Sequence, residues 1–271
     1  MELSQAQVDT YHRDGFLVVE RVFSLPEMAV LDAALPEIID PSRAKVGFDK
    51  ATGMVRLSHG AHLYNEAAHR LSLHPKLVRS AQQLVGPELH IYQSRLTIKP
   101  AATGAANASG WSWHQDFSTW YRYDGMPEPR ALVTFTFLDD VTAANAPVLV
   151  IPRSHRHGVF GTIREEKEEA KEPSDGYQAV EVKPEFVREM AQQAGVTAMT
   201  GPVGTVAFMN CAVVHASGEN IAPLRRALFS VVFNPMDNRA RHPRTKGEHW
   251  VTPDVVPVRP LADDCLLTMA S

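Results

Sequence analysis

The chain is poor in cysteine: Cys211 and Cys265 are the only two among 271 residues. A disulfide framework is excluded, and a reducing cytosol is the compartment that fits. No apolar run is long enough to span a bilayer. Neither sign of charge dominates, since the net charge is -4. The basic residues are scattered except for the loop-like run Arg239-Ala240-Arg241-His242-Pro243-Arg244. Neither nucleic acid nor an anionic membrane is therefore expected as a partner. The start, Met1-Glu2-Leu3-Ser4, lacks a basic n-region and an apolar h-region, so no secretory signal is expected. There is no internal repeat, no low-complexity tract and no clear linker. What remains, with 44% hydrophobic residues, can bury one large core. It reads as a single domain over 1–271: a helical part over about 1–86, a strand-rich core over about 87–238, and a tail over 239–271. The expected partner is a small molecule; monomer and homodimer both remain open.

Ser4 with Gln7 forms a capping-box pattern, predicting a helix that ends near Gly15. Residues 16–19 read as a short strand. Residues 25–39 read as a helix opened by Pro26, and 75–85 as another opened by Pro75 and ended by Gly86. The polar stretch 47–62 reads as irregular, a plausible active-site loop. Beyond it, 89–99, 131–138, 148–151, 204–209, 212–215 and 227–233 are β-branched or aromatic and bounded by turn residues. Residues 184–194 read as a helix stopped by Gly195. The fold class is mainly β with flanking α-helices, around a double-stranded β-helix (jelly-roll, cupin-like) core. The charged stretch 161–177 interrupts it as a solvated helix or mobile insert, or else a lid.

The chemistry concentrates in Trp113-His114-Gln115-Asp116. On a strand, His114 and Asp116 point to one side and can reach one ion. His215, in the strand-like run Val213-Val214-His215-Ala216-Ser217, can close the set. Two histidines and one carboxylate with open positions are diagnostic of non-haem Fe(II) oxygenases. Taken alone, an H-x-D among 12 histidines reads as a structural His and a surface Asp. The surrounding aromatics, Trp111, Trp113, Phe117 and Trp120, argue otherwise, because a carboxylate among them needs a partner. Ser217 shares a face with His215. Arg226 opens an apolar strand, where a guanidinium is costly unless an anion meets it; a keto acid with a second carboxylate suits this pair. Arg225 points the other way and reads as solvent-facing.

The order His114-Gln115-Asp116, His215, Ser217, Arg226 resembles the phytanoyl-CoA dioxygenase superfamily of Fe(II)/2-oxoglutarate oxygenases. Trp113 to Trp120, followed by Asp124-Gly125-Met126-Pro127, resembles bacterial ectoine hydroxylases and free L-proline trans-4-hydroxylases. Tyr92-Gln93-Ser94-Arg95, Gly218 with Asn220, and Asn234 with Asn238 fit the same group. The resemblance implies Fe(II), 2-oxoglutarate and O2 as cofactor and cosubstrates, with ascorbate helpful in vitro. It implies His114, Asp116 and His215 as catalytic iron ligands. Arg226 would bind the distal carboxylate of 2-oxoglutarate, Ser217 would help, and Thr97 stands where ectoine hydroxylases carry a cosubstrate-contacting Asn. Gln93 and Trp120 fall where those enzymes contact substrate. Gln115 and Ser118 replace Ser and Glu of the ectoine hydroxylases, and Gln115 is the choice of the proline hydroxylases. Asn145-Ala146-Pro147 and Pro152-Arg153-Ser154-His155 each lack the usual glycine, which predicts altered turns.

The implied reaction is hydroxylation of an unactivated aliphatic C–H of a small free amino acid, proline-like or another L-amino acid, releasing succinate and CO2. Arg95, Arg122 and Arg130 are candidates for its carboxylate. Asp124 and the faces of Trp111 and Trp120 are candidates for its ammonium. An ectoine or compatible-solute hydroxylase and a natural-product tailoring oxygenase are alternatives. From another class, a cupin-like metal-binding protein without oxygenase activity would not need Arg226 and Ser217 as a dicarboxylate clamp. A zinc hydrolase would need a general base that does not stand out.

Overall fold

The computed structural model describes residues 2–43, 45–49, 53–102, 110–160, 180–243, 251–252 and 255–268. The expected insert or lid at 161–177 lies outside them. Helix α1 (Gln5–Asp14) starts at Ser4 with the reciprocal capping box to Gln7 and ends at Gly15 with φ 85°. That glycine is obligatory twice over, since a Cβ would lie 2.4 Å from His155 Nδ1. Strand β1 (Phe16–Val19) follows, then α2 (Leu25–Ile38), capped by a second box, Ser24 with Glu27. A short helix not expected from the sequence, α3 (Glu66–Ser72), is capped by Asn65 and precedes α4 (Pro75–Val85). Lys76 of α4 reaches back to Glu27 at 2.9 Å, tying α4 to α2.

Among its described residues, the stretch 47–62 is not irregular throughout: it takes in the end of β2 (Lys45–Phe48) and all of β3 (Val55–His59), an antiparallel pair at the edge of the large sheet, and then a 3-10 turn (Ala61–Leu63). Its polar side chains hid it, because β3 turns Leu57 and His59 toward a cavity rather than an apolar core. Seven strands make the large sheet, in the order β1-β9-β6-β11-β4-β3-β2. The added members are β4 (Leu89–Lys99), β6 (Leu132–Phe137), β9 (Val206–Asn210) and β11 (Arg226–Pro235). The smaller sheet has the order β5-β10-β7-β8. It consists of β5 (Trp111–His114), β7 (Val148–Val150), β8 (Thr197–Met199) and β10 (His215–Ser217). Short α5 (Asp116–Thr119) follows β5, and α6 (Pro184–Ala194) precedes β8. Two antiparallel sheets face each other with helices on the outside, the expected jelly-roll arrangement.

Alternation along β11 explains the layering. Phe229, Val231 and Phe233 turn outward and pack with Leu31, Ile38, Leu71 and Val78 of the helices. Leu228 and Val232 turn inward to Val133, Phe137 and Val150. Both faces are buried, so the strand reads as a nearly unbroken apolar run. At its start, Arg225 is not left to solvent: it donates to Asp139 at 3.0 and 2.8 Å and to Asp32 of α2 at 2.7 Å. Asp139 Oδ2 also accepts from the Ala227 amide at 2.8 Å, fixing where β11 enters the sheet.

Candidate metal centre and its cavity

Two chain reversals set the triad. His114 is the last residue of β5, and Asp116 is the first of α5, so they do not share one continuous strand. Gln115 between them is extended, with φ -116° and ψ 130°, which keeps the two side chains on one side. The strand expected over 212–215 is a turn up to Val214. Asn210 Oδ1 accepts from the Ala212 amide at 2.8 Å and Asn210 O from the Val213 amide at 3.0 Å, so β10 opens only at His215. His215 is then directly opposite His114 in the β10–β5 register, and the two ring centroids are 4.1 Å apart.

One donor atom each of His114, Asp116 and His215 lies within 4.8 Å of the others, and all three residues are buried. His114 Nδ1–H donates to Ser112 O at 2.7 Å, and His215 Nδ1–H donates to Val213 O at 3.0 Å. These bonds fix the tautomers and leave both Nε2 lone pairs for an ion. Burial pushes the His114 imidazole down to about 3, helped by His215 beside it; burial also lowers His215. Both rings are thus in the neutral form a metal requires. Burial alone would raise the Asp116 carboxyl, but Arg95 and the two histidines outweigh it and hold it below the ordinary carboxylate range. Arg95 Nη2 donates to Asp116 Oδ2 at 3.2 Å, while the buried Oδ1 has no hydrogen-bond partner. A desolvated carboxylate oxygen beside two imidazole nitrogens is the donor set of a facial-triad iron site, so these residues fit Fe(II).

The triad opens into a cavity between the sheets, lined by Trp111, Val148, Ala216 and Ser217 from the small sheet and by eight residues of the large one. Register arranges those eight in rows. His59, Arg95, Ser230 and Phe135 are consecutive partners across β3, β4, β11 and β6. Leu57, Thr97 and Leu228 form the next row, two residues along. Arg226, paired with Lys99, forms the third.

Arg226 is 2% exposed and donates through Nε and Nη2 to Ala146 O at 3.1 and 2.9 Å. Desolvation draws its pKa down to about 9. Lys99, which sequence reasoning missed, is equally buried beside it and donates to Gly218 O. Desolvation, then Arg226 and Arg56, push Lys99 down to about 6. Its signal was a lysine at the same alternation as Arg95 and Thr97, which only the pairing with Arg226 makes meaningful. Ala146 keeps the left-handed turn expected of the missing glycine, with φ 60°, and Arg153 does the same with φ 66°. Non-glycine residues thus occupy strained backbone in both turns, and at Ala146 that backbone aims a carbonyl at Arg226.

Other candidates lie elsewhere. Gln93 sits one row beyond Arg95, opposite Val232. Trp120 is 1% exposed, edge-on to Tyr92 at 5.1 Å in the inner core. Arg130 is on the surface, paired with Glu128 at 2.6 Å and Asp237 at 3.0 Å. Arg122 is exposed over the Tyr123 ring, and Asp124 is buried and accepts from Tyr92 OH at 2.7 Å. None of these five lines the cavity, whereas Trp111 and Arg95 do. Trp111 also carries Arg56 of β3 over its ring at 4.5 Å, joining the two sheets. Gln115 and Ser118, the two departures from the ectoine-hydroxylase pattern, bond each other at 2.9 Å. Together they hold Gly158 and Phe160.

Comparison with known proteins places this geometry. Residues 11–227 match the family described as phytanoyl-CoA dioxygenase (PhyH). The chain is 34% identical over 268 residues to an ectoine dioxygenase of Bordetella parapertussis, covering 96% of this chain and 86% of that protein. It is 34% identical over 263 residues to an L-proline trans-4-hydroxylase of Streptomyces griseoviridis, covering 94% and 95%. The crystal structure of EctD from S. alaskensis with 2-oxoglutarate and 5-hydroxyectoine superposes with a TM-score of 0.76 at 32% identity, over 88% of this chain and 78% of that one. The structure of the same protein with bound Fe gives a TM-score of 0.77 at 30% identity, over 96% and 87%.

Proposed function

The chain belongs to the phytanoyl-CoA dioxygenase (PhyH) family and is an Fe(II)- and 2-oxoglutarate-dependent hydroxylase of a small molecule, and we propose that this molecule is a small free L-amino acid, proline-like in size. His114, Asp116 and His215 hold the iron in this reading. Bound together, Fe(II), 2-oxoglutarate and O2 supply the oxidant for an unactivated aliphatic C–H, with succinate and CO2 as coproducts. Every other contribution comes from the chain. The two Nδ1–H bonds fix the tautomers and orient the imidazoles, and burial keeps the rings neutral. Arg95 holds one oxygen of Asp116 and leaves the other for the metal. Arg226 receives the distal carboxylate of the cosubstrate, with Ser217, Thr97 and Lys99 around it. The apolar row Leu57 and Leu228, with Phe135 and Val148, keeps water from the reacting carbon.

The observation that carries this is Arg226. A guanidinium 2% exposed, hydrogen-bonded among the described residues to one carbonyl and opening into the triad's cavity, calls for an anion. The test is a screen with Fe(II), ascorbate and 2-oxoglutarate, reading succinate release and a mass gain of one oxygen. A free amino acid is expected to stimulate both; failure of every amino acid removes this substrate class. A second reading, an ectoine-like compatible solute, rests on the ectoine dioxygenase at 34% identity, and ectoine belongs in the same screen.

A further inference from the structure

Gln115 stands between two residues of the triad yet faces away from them. His114 and Asp116 turn to one side of the extended chain, so Gln115 turns to the other. It is fully buried and does not line the cavity. Its amide is saturated. Nε2 donates to Ala212 O at 2.7 Å and to Gly158 O at 2.9 Å. Oε1 accepts from the Phe160 amide at 2.8 Å and from Ser118 Oγ at 2.9 Å. A carbonyl can only accept and a backbone amide can only donate, so these partners fix which way the side-chain amide points.

Ala212 is the partner that bears on the triad. It lies in the turn held by Asn210, just before His215. The ladder beside it is short. β5 has four residues and β10 three, and they pair only as His215 with His114 and Ser217 with Trp111, with the register shifted between the two pairs. One backbone bond, from the Phe117 amide to Cys211 O at 3.0 Å, adds a second tie. The Gln115 amide thus joins the segment carrying His114 and Asp116 to the segment that delivers His215. Through Gly158 and Phe160 it anchors both to a third stretch of chain.

We infer that Gln115 is the positioning residue of the metal centre, the strut by which the turn at Ala212 keeps His215 in reach of His114 and Asp116. The inference rests on the reading of the triad as the metal site. A core glutamine with satisfied bonds stabilises the fold and no more. A strut also sets metal affinity, because ligands already in place lose less freedom when the ion arrives. Gln115 reaches no reacting atom and acts only through the ligands.

The experiment titrates Co(II) into the metal-free full-length protein under nitrogen, read by calorimetry and by the visible bands of the ion, which report its coordination. Wild type is expected to take up one ion. Gln115→Met keeps the length of the side chain and removes all four bonds. It should bind Co(II) about tenfold to a hundredfold more weakly, the usual cost of losing a group that orients a ligand, and with shifted bands. Asn238→Ala is the control. Its amide is as buried as that of Gln115 and bonds Glu128 and Asn234 beyond the end of β11. This variant should lose resistance to urea with Co(II) affinity and bands unchanged. Urea curves confirm that each variant is folded. Should Gln115→Met not fold, Gln115→Asn takes its place: it keeps an amide one methylene short of Ala212 and should also weaken binding. Unchanged Co(II) affinity in the folded Gln115 variant, or an equal loss in Asn238→Ala, overturns the inference while the metal site stands. Failure of wild type to take up Co(II), or undiminished uptake by His114→Ala, overturns the metal site itself, and the strut falls with it.

Discussion

The two faces of the seven-stranded sheet are made from the same strands and do opposite work. Outward, β4 and β11 present Leu96, Ile98, Phe229, Val231 and Phe233 to the helices. Inward, they present Arg95, Thr97, Lys99, Arg226, Leu228 and Ser230, most of them polar, beside the triad. One face lowers the free energy of folding; the other spends part of it to hold desolvated charges. A period of two lets both exist without compromise, because neighbours in sequence never share a face.

Substitutions that act on one face alone test that separation. On the inner side, His114→Ala should lower turnover below detection while the protein stays as resistant to urea as wild type; measurable hydroxylation would remove His114 from the metal. On the outer side, Phe229→Ala should cost about 3–5 kcal/mol by leaving a cavity beneath the helices. Urea denaturation measures that loss, and cosubstrate affinity of the folded fraction should be unchanged. Arg226→Ala should raise the 2-oxoglutarate requirement about tenfold to a hundredfold. It should leave stability unchanged or higher, because a buried cation is removed; a large fall in stability with an unchanged requirement would reverse the assignment of faces.

On the outer side of the sheet, His62 of the 3-10 turn is buried, with its Nδ1 2.6 Å from Ser94 Oγ. Burial lowers its pKa from 6.5 to about 4. Its neutral form is kept by the fold while the unfolded chain takes up a proton. Its contribution to stability is therefore full above pH 6.5 and is lost as pH falls from 6.5 to about 4. Melting temperatures across that interval should decline, and His62→Gln should flatten the decline. The smallest effect is expected at the two strained turns. Ala146→Gly should relieve a left-handed residue and raise stability by about 1 kcal/mol, read by calorimetry, with Arg226 still in place.

Much of the outer face was legible from the chain. Ser4 with Gln7 marked α1, Pro75 and Gly86 bracketed α4, and β-branched or aromatic runs bounded by turn residues announced β4, β6 and β11. The residues of the metal set were legible as well, since H-x-D needs only local spacing. What escaped depended on pairing. β3 looked like a loop because its inward residues face a cavity. The Asn210 turn that delays β10 until His215 rests on side-chain hydrogen bonds with no apolar signature. The surroundings of Trp120 and Arg130 were not legible, because residue type reveals neither the Tyr92 ring nor the Glu128 and Asp237 carboxylates that engage them. The row that places His59 and Ser230 on either side of Arg95 joins segments more than thirty and more than a hundred residues apart, and only register creates it.

Arg95 with Ser230, and Lys99 with Arg226, stand on the same two strands yet in separate rows, with the row of Thr97 and Leu228 between them. They share a scaffold and no side chains. Drift or selection can therefore rewrite the His59 end of the cavity one residue at a time, each change confined to its own row, while the Arg226 end keeps its partner. A chain built this way can exchange the molecule it modifies without relearning how to power the modification.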